Sequence, residues 1–197
     1  SAALCEYIEN CSAVFVMGHS HSDYDVLGSA VGISAIARAA SKPCYIIINR
    51  DTSLAKPLLD LLEQKRNYFN FISPEKATEI FTDDSVLVIT DTMRSQLVES
   101  KEVLNKSKCT ILIDHHRKTV DYIDQVALEF HEPYASSACE MVTELVQYSP
   151  FSPVLTPFEA EALLSGIILD TKNYTMRVGV RTFEAAAYLR DCKLDTV

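Results

Sequence analysis

The chain has 197 residues, of which 48% are hydrophobic and 23% charged, ordinary proportions for one large folded domain and unlike disordered or fibrous chains. Its 27 acidic residues outnumber 18 basic ones, for a formal charge of −9, which argues against a broad basic face for duplex nucleic acid. No apolar run reaches the 18 residues or so of a membrane span, and Ser1 to Glu6 lacks the pattern of a signal peptide, so no membrane contact is expected of this stretch. Six scattered cysteines (Cys5, Cys11, Cys44, Cys109, Cys139, Cys192), none in a Cys-x-x-Cys, read as reduced, packed thiols in a cytoplasmic setting.

In chain order, the apolar run 14–17 predicts a strand and 26–40 a helix rich in small residues. A strand at 44–48 and a helix over 53–64 follow. Strands at 86–89 and 110–113 flank a helix predicted over 96–105. Their hydrophobicity is continuous rather than alternating, as expected of strands covered on both faces. Strands alternating with helices predict an α/β fold with a mostly parallel sheet. The last third is helical, with helices over 136–148, 156–169 and 181–192. Thr156-Pro157-x-Glu159 carries the signature of a helix start. Glycine inside a helix costs about 1 kcal/mol against alanine. Gly28 and Gly32 in the first helix therefore imply close packing on the sheet or near approach of a ligand.

Ligands of open parallel sheets bind beyond the carboxyl ends of the strands. Beyond the first strand lies Gly18-His19-Ser20-His21-Ser22-Asp23-Tyr24-Asp25. Thr90-Asp91-Thr92 follows the strand at 86–89, and Asp114-His115-His116 follows that at 110–113. Asp170-Thr171 ends the helix over 156–169. Capping accounts for Asp23, Asp25 or Asp91 taken singly, and a buried pair bonded to carbonyls accounts for His115 and His116. Their convergence from four element ends favours a metal site over capping. Imidazole and carboxylate suit Mn²⁺, Mg²⁺ or Zn²⁺, and more than four such groups suit two ions sharing a carboxylate, as in phosphoryl transfer. No phosphate-cradling Gly-x-Gly-x-x-Gly is present, so a dinucleotide cofactor is not expected.

The ordered motifs His19-x-x-x-Asp23-x-Asp25-x-x-Gly28, Asp91-Thr92, Asp114-His115-His116 and Gly166-Ile167-x-x-Asp170-Thr171 resemble those of the DHH phosphoesterase superfamily. Residues 132–142 and 170–187 resemble the catalytic region of its GdpP-type cyclic-di-AMP phosphodiesterases. That resemblance implies two divalent ions, Mn²⁺ above all. His19 and Asp23 would bind one ion; Asp25, His115 and Asp170 would bind the other; Asp91 would bridge them. Asp114 would support the site and orient a neighbouring imidazole. His116 would face the substrate phosphate or protonate the leaving oxygen. Hydroxide attack would open cyclic-di-AMP to linear pApA. Two positions depart from the family's usual pattern, Ser22 where proline precedes the first Asp and Met93 where histidine follows Asp-Thr. His21, if its segment is extended, points to the same side as His19, but the resemblance leaves it as a solvated neighbour.

Arg94, Arg117, Lys118, Arg177 and Arg181 could meet substrate phosphates, with Arg94 and Arg117 directly beside expected ligands. The sequence stops at Leu194-Asp195-Thr196-Val197, where DHH phosphodiesterases continue into a DHH-associated C-terminal domain that grips substrate. Residues 1–197 are therefore expected to be a DHH catalytic domain cut from a larger, possibly membrane-anchored protein. Alone, it is expected to bind metal and turn over slowly. A homodimer is also compatible with the sequence. Competing readings are an oligoribonuclease or 3′-phosphoadenosine phosphatase of the same superfamily, or a nucleotide-binding module without turnover.

Overall fold

Continuous apolar runs become the centre of a single sheet in the computed structural model, which describes residues 1–65 and 68–192. The elements in chain order are α1 (Ala2–Asn10), β1 (Val14–Met17), α2 (Tyr24–Ala39), β2 (Cys44–Ile47), α3 (Lys56–Glu63), β3 (Asn70–Ile72), α4 (Pro74–Ile80) and β4 (Val86–Thr90). They continue with α5 (Lys101–Lys106), β5 (Thr110–Asp114), β6 (Leu128–His131), α6 (Ala138–Gln147), α7 (Pro157–Asp170) and α8 (Val180–Asp191). The strands lie in the order β3-β2-β1-β4-β5-β6, and all five pairings are parallel. This is the doubly wound α/β arrangement, in which connections from β1 and β4 diverge to opposite sides and leave a crevice between them.

Register sets the level of that crevice. Met17 pairs with Ile89, and Thr90 with Ile113. The residues that follow β1, β4 and β5 therefore leave the sheet side by side. One face of the sheet is covered by α2, α6 and α7, the other by α4 and α5, with Phe15, Met17, Leu87 and Ile89 in the second core.

Departures from the sequence expectation have local causes. β3 and β6 are edge strands, short and only partly buried, so neither shows an apolar run long enough to mark it. The N-terminal α1 and the seven-residue α4 were likewise not anticipated. Helix α5 begins at Lys101 rather than at residue 96, capped by the Ser100 hydroxyl, which accepts from Val103 N–H. The preceding residues are drawn instead to the loop after β1. Glu99 N–H donates to the Gly18 carbonyl at 2.9 Å, and Ser20 N–H to the Leu97 carbonyl at 2.6 Å. Helix α3 begins at Lys56, because Ser53 is spent on the same loop: Ser22 Oγ donates to Ser53 Oγ, and Ser53 Oγ to the Ser22 carbonyl. Ser22, the departure from the family pattern, is thus a buried latch. The capping box of Thr156 and Glu159 is present at the start of α7. The six cysteines are free thiols. No helix among the described residues is long and apolar enough to cross a membrane. Residues 194–197, the stop noted in the sequence, lie outside the described residues.

The helical glycines are sites of contact. A Cβ on Gly28 would lie 2.5 Å from the Ala162 carbonyl oxygen on α7, and one on Gly32 would lie 2.5 Å from Val142 Cγ1 on α6. Gly28→Ala must push α2 away from a helix backbone, which cannot rotate aside. The expected cost is about 1–3 kcal/mol of unfolding free energy, measured by urea titration; wild-type stability in that variant would show that the helices can part freely.

Candidate metal centre and active site

Asp91 is the residue at which the site is organised. It leaves β4 with φ 60° and is buried, and its N–H is fixed to the Ile113 carbonyl at 2.9 Å. Aspartate enters this left-handed region more readily than most residues, yet holding it there in a buried site costs energy that the surrounding structure must supply. No helix starts at Asp91, so the capping alternative does not apply to it. Its two oxygens face different imidazoles: Oδ1 is 3.2 Å from His115 Nε2, and Oδ2 is 3.4 Å from His19 Nε2.

Each imidazole gathers further carboxylates. His19 Nε2 lies 3.6 Å from Asp23 Oδ2. Its Nδ1–H donates to the Ser20 carbonyl at 2.8 Å, which aims Nε2 at the carboxylates. Asp23 does two things at once. Its Oδ1 caps α2 by accepting from the N–H groups of Asp25 and Val26, while Oδ2 faces the cluster. His115 Nε2 lies 3.7 Å from Asp25 Oδ2 and 3.5 Å from Asp170 Oδ2, the latter on the last residue of α7. Asp25 is 1% exposed and is gripped by the start of α6: Ala138 N–H donates to Oδ2 at 2.7 Å and Cys139 N–H to Oδ1 at 2.8 Å. Free amides at a helix N-terminus stabilise an anion. This grip escaped the sequence reading, although Ser136-Ser137-Ala138-Cys139-Glu140 carries a helix-start signature that marks where such amides occur.

His19, Asp23 and Asp91 form one group, and Asp25, His115 and Asp170 another; in each, one ligand atom per residue lies within 4.8 Å of the others. Ligand atoms about 2.1 Å from a shared ion stand roughly 3.0–3.4 Å apart in octahedral or tetrahedral geometry. The observed 3.2–3.7 Å separations are close to that. These groups could therefore hold metal. The electrostatics point the same way. Burial opposes a charged His19, but hydrogen bonds to Asp23 and Asp91 override it and raise the pKa to about 11. His115 is likewise disfavoured by burial and raised by Asp91 to about 9. Burial, then repulsion from Asp91, lifts Asp170 to about 6 and holds Asp25 well above the carboxylate range. Burial opposes ionisation of Asp91 too, but both imidazoles bring it down to about 2. The carboxylates hold protons on the imidazoles and on one another, positions at which a cation could take the protons' place.

His116 Nδ1 lies 3.6 Å from Asp91 Oδ1, and with Asp91 and His115 it makes a third group that could hold an ion, the most exposed of the three. The His116 backbone N–H and Nδ1–H both donate to Asp114 Oδ1, at 3.2 and 2.8 Å, and the Asp114 hydrogen bond raises its pKa. The ring is half-exposed and lies on the walls of two cavities. One, of about 290 Å³, is bounded by His19, Asp91, Met93 and Arg94; the other, of about 900 Å³, is bounded by His115, Tyr134 and Arg177; Arg117 lines both. Arg94 borders the smaller cavity while paired to Asp121 at 3.0 Å.

Two of the basic candidates are occupied elsewhere. Lys118 pairs with Glu129, and Arg181 is held between Glu132 and Glu144, so neither is free for a phosphate. His21 has φ 60° rather than an extended backbone, is exposed, and joins neither group. Met93 is buried in the second core and borders the smaller cavity.

Residues 13–167 match the DHH family, N-terminal domain. The chain belongs to the DHH family. Across its full length this DHH chain is 42% identical to the cyclic-di-AMP phosphodiesterase GdpP of Bacillus subtilis (strain 168). It is 40% identical to the cyclic-di-AMP phosphodiesterase PdeA of Listeria monocytogenes serotype 1/2a (strain 10403S). It spans 30% of the length of each of these relatives. An exopolyphosphatase-related protein from Bacteroides fragilis shares the fold, with TM-score 0.81 and 17% identity over 98% of this chain and 56% of that one.

A cation that binds this DHH cluster in the folded state alone must stabilise the fold. Mn²⁺ or Mg²⁺ at a hundredfold excess over Kd is expected to add about 2.7 kcal/mol, read as a rise in Tm that EDTA reverses. Asp91→Asn should remove most of that rise, and an undiminished rise would contradict a shared role for Asp91.

Proposed function

We propose that this chain is the catalytic DHH portion of a metal-dependent phosphodiesterase that hydrolyses cyclic-di-AMP to linear pApA. The observation that carries this reading is Asp91, whose two oxygens face two separate His/Asp groups across a few ångströms. His19 and Asp23 would hold one ion, Asp25, His115 and Asp170 a second, and Asp91 both, with Mn²⁺ the favoured metal. Bound there, such ions supply Lewis-acid polarisation of the phosphoryl oxygens and a hydroxide nucleophile near neutral pH. The names of the two relatives, and identities of 40% and 42% over the whole chain, support cyclic-di-AMP as substrate.

The protein's own groups do the rest. Asp25 is held in place by two helix amides, so its carboxylate keeps a fixed orientation as charge shifts in the reaction. Asp114 fixes the proton of His116 on Nδ1 and aims the ring. That hydrogen bond also favours the doubly protonated ring, whose Nε2–H is the group to stabilise the scissile phosphate or to give its proton to the departing oxygen. Arg117, exposed and shared by both cavities, stands beside it to neutralise phosphate charge, and Arg94 borders the smaller cavity on the other side.

Turnover assays on cyclic-di-AMP, pApA and short RNA, with Mn²⁺ and with EDTA, test the reading. Mn²⁺-dependent conversion of cyclic-di-AMP to pApA is expected; cleavage of short RNA alone would move the chain to an oligoribonuclease role. His116→Ala should lower kcat by about 10²–10⁴-fold with metal stoichiometry retained. Asp114→Asn acts through His116 and should cost about 10–100-fold in kcat with little change in KM. Wild-type kcat in His116→Ala would remove His116 from the mechanism, and wild-type kcat in Asp114→Asn would remove the positioning role of Asp114.

A further inference from the structure

The cavity of about 900 Å³ differs from the rest of this acidic molecule. In a chain with 27 carboxylates, its lining contains none, and instead brings together His115, His116, Arg117 and Arg177. Among the described residues, Arg117 and Arg177 have no acidic partner within 4 Å, whereas Arg94, Lys118 and Arg181 are each paired. On the same wall Tyr134 is 97% exposed, although its chain neighbour Ala135 is buried. A flat apolar ring and unpaired guanidinium groups at one cavity match a ligand that is itself part aromatic and part anionic. A purely anionic ligand gives no use to the tyrosine.

The walls are held rigid by a network separate from the metal groups. Glu140, 2% exposed, accepts from Ser136 Oγ and from Thr182 Oγ1, both at 2.6 Å. Thr182 Oγ1 in turn accepts from Gly179 N–H at 3.1 Å. Arg181 donates to Glu132 at 2.7 Å and to both oxygens of Glu144 at 2.6 Å. Glu132 and Ser136 bracket Tyr134, while Gly179, Arg181 and Thr182 follow Arg177. The two loops that present the tyrosine and the arginine are thus tied to one another through α6 and α8. Arg177 also has φ 55°, a conformation outside the usual range for its residue type.

We propose that this cavity holds the half of the dinucleotide beyond the scissile bond, with a nucleobase stacked on Tyr134 and the second phosphate on Arg177. The inference rests on the phosphodiesterase reading above and deepens it, because it names the residues that select a dinucleotide over a simple phosphodiester. The volume falls within the roughly 300–1,000 Å³ of small-molecule sites. Glu140 and Arg181 are positioning residues that keep the two walls at a fixed separation.

The test compares kcat/KM for cyclic-di-AMP with kcat/KM for bis(p-nitrophenyl) phosphate, which lacks a nucleobase and a second phosphate. Tyr134→Ala and Arg177→Ala should each lower that ratio by about 10-fold or more, mainly through KM for cyclic-di-AMP, and Tyr134→Phe should restore it. A ratio unchanged in both alanine variants, including an equal fall on both substrates, overturns the proposal. If the wild-type chain cleaves the simple diester and not cyclic-di-AMP, the substrate reading fails instead. Calorimetric binding of pApA then decides the cavity: loss of affinity in Tyr134→Ala supports it, and wild-type affinity overturns it.

Discussion

Mutual repulsion among buried carboxylates is the constraint around which this domain is built. Asp25, Asp91 and Asp170 all approach the single Nε2 of His115, and Asp23 and Asp91 approach that of His19. Burial and the charge of Asp91 raise the pKa of Asp25 and Asp170, while the imidazoles lower that of Asp91; like charges this close oppose folding. The structure withstands this by fixing Asp23, Asp25 and Asp91 through backbone. Two amides of α6 hold Asp25, the start of α2 uses one oxygen of Asp23, and the Asp91 main chain is tied to β5 in a left-handed turn. Each device leaves carboxylate oxygen directed at the cluster. Repulsion that the fold does not relieve is available to bind cations.

Helix packing carries the same requirement outward from the site. Asp25 lies in the first turn of α2, Asp170 ends α7, and α6 supplies the amides, so these three helices must meet almost backbone to backbone. Glycine permits it. A Cβ on Gly166 would stand 2.4 Å from Cys139 Sγ and 3.0 Å from the Tyr24 carbonyl, and Gly28 meets α7 from the opposite side. A methyl group at Gly166 would part α7 from both α2 and α6, moving Asp170 away from Asp25. The small residues of α2 are thus a packing feature whose consequence is chemical: they set the distance between carboxylates on different helices.

The parts of this design that could be read from sequence are those in which one residue type admits one explanation. Continuous apolar runs marked β1, β2, β4 and β5, and the residues just beyond three of these strands are members of the cluster. The edge strands β3 and β6 were not readable, because half-buried strands of three or four residues show neither an apolar run nor clear alternation. Residues 96–100 look helical alone, but a turn closed by Leu97 N–H on the Arg94 carbonyl and tertiary hydrogen bonds to Gly18 and Ser20 keep them out of α5. For Asp23, capping and ligation were posed as rivals, yet a carboxylate has two oxygens and serves both. Arg181 looked available for phosphate only because the sequence does not show that Glu132 and Glu144 fold back against it. Tyr134 lies in a stretch that resembles the GdpP-type catalytic region, but only the structure shows that its ring remains outside the core.

Charge distribution reconciles the acidity of this chain with the anionic substrate proposed for it. The formal charge of −9 is a property of the whole surface, and it disfavours long polyanions that would have to run across that surface. A small dinucleotide need contact only one cleft. There, the carboxylates of the cluster could hold cations, and the adjoining cavity is lined by arginine and histidine with no acid. On the proposed reading, attraction for phosphate is confined to a region the size of the ligand, within a surface whose net charge disfavours larger anions. Selection by size and local charge follows from where the acids sit, which neither their number nor the net charge conveys.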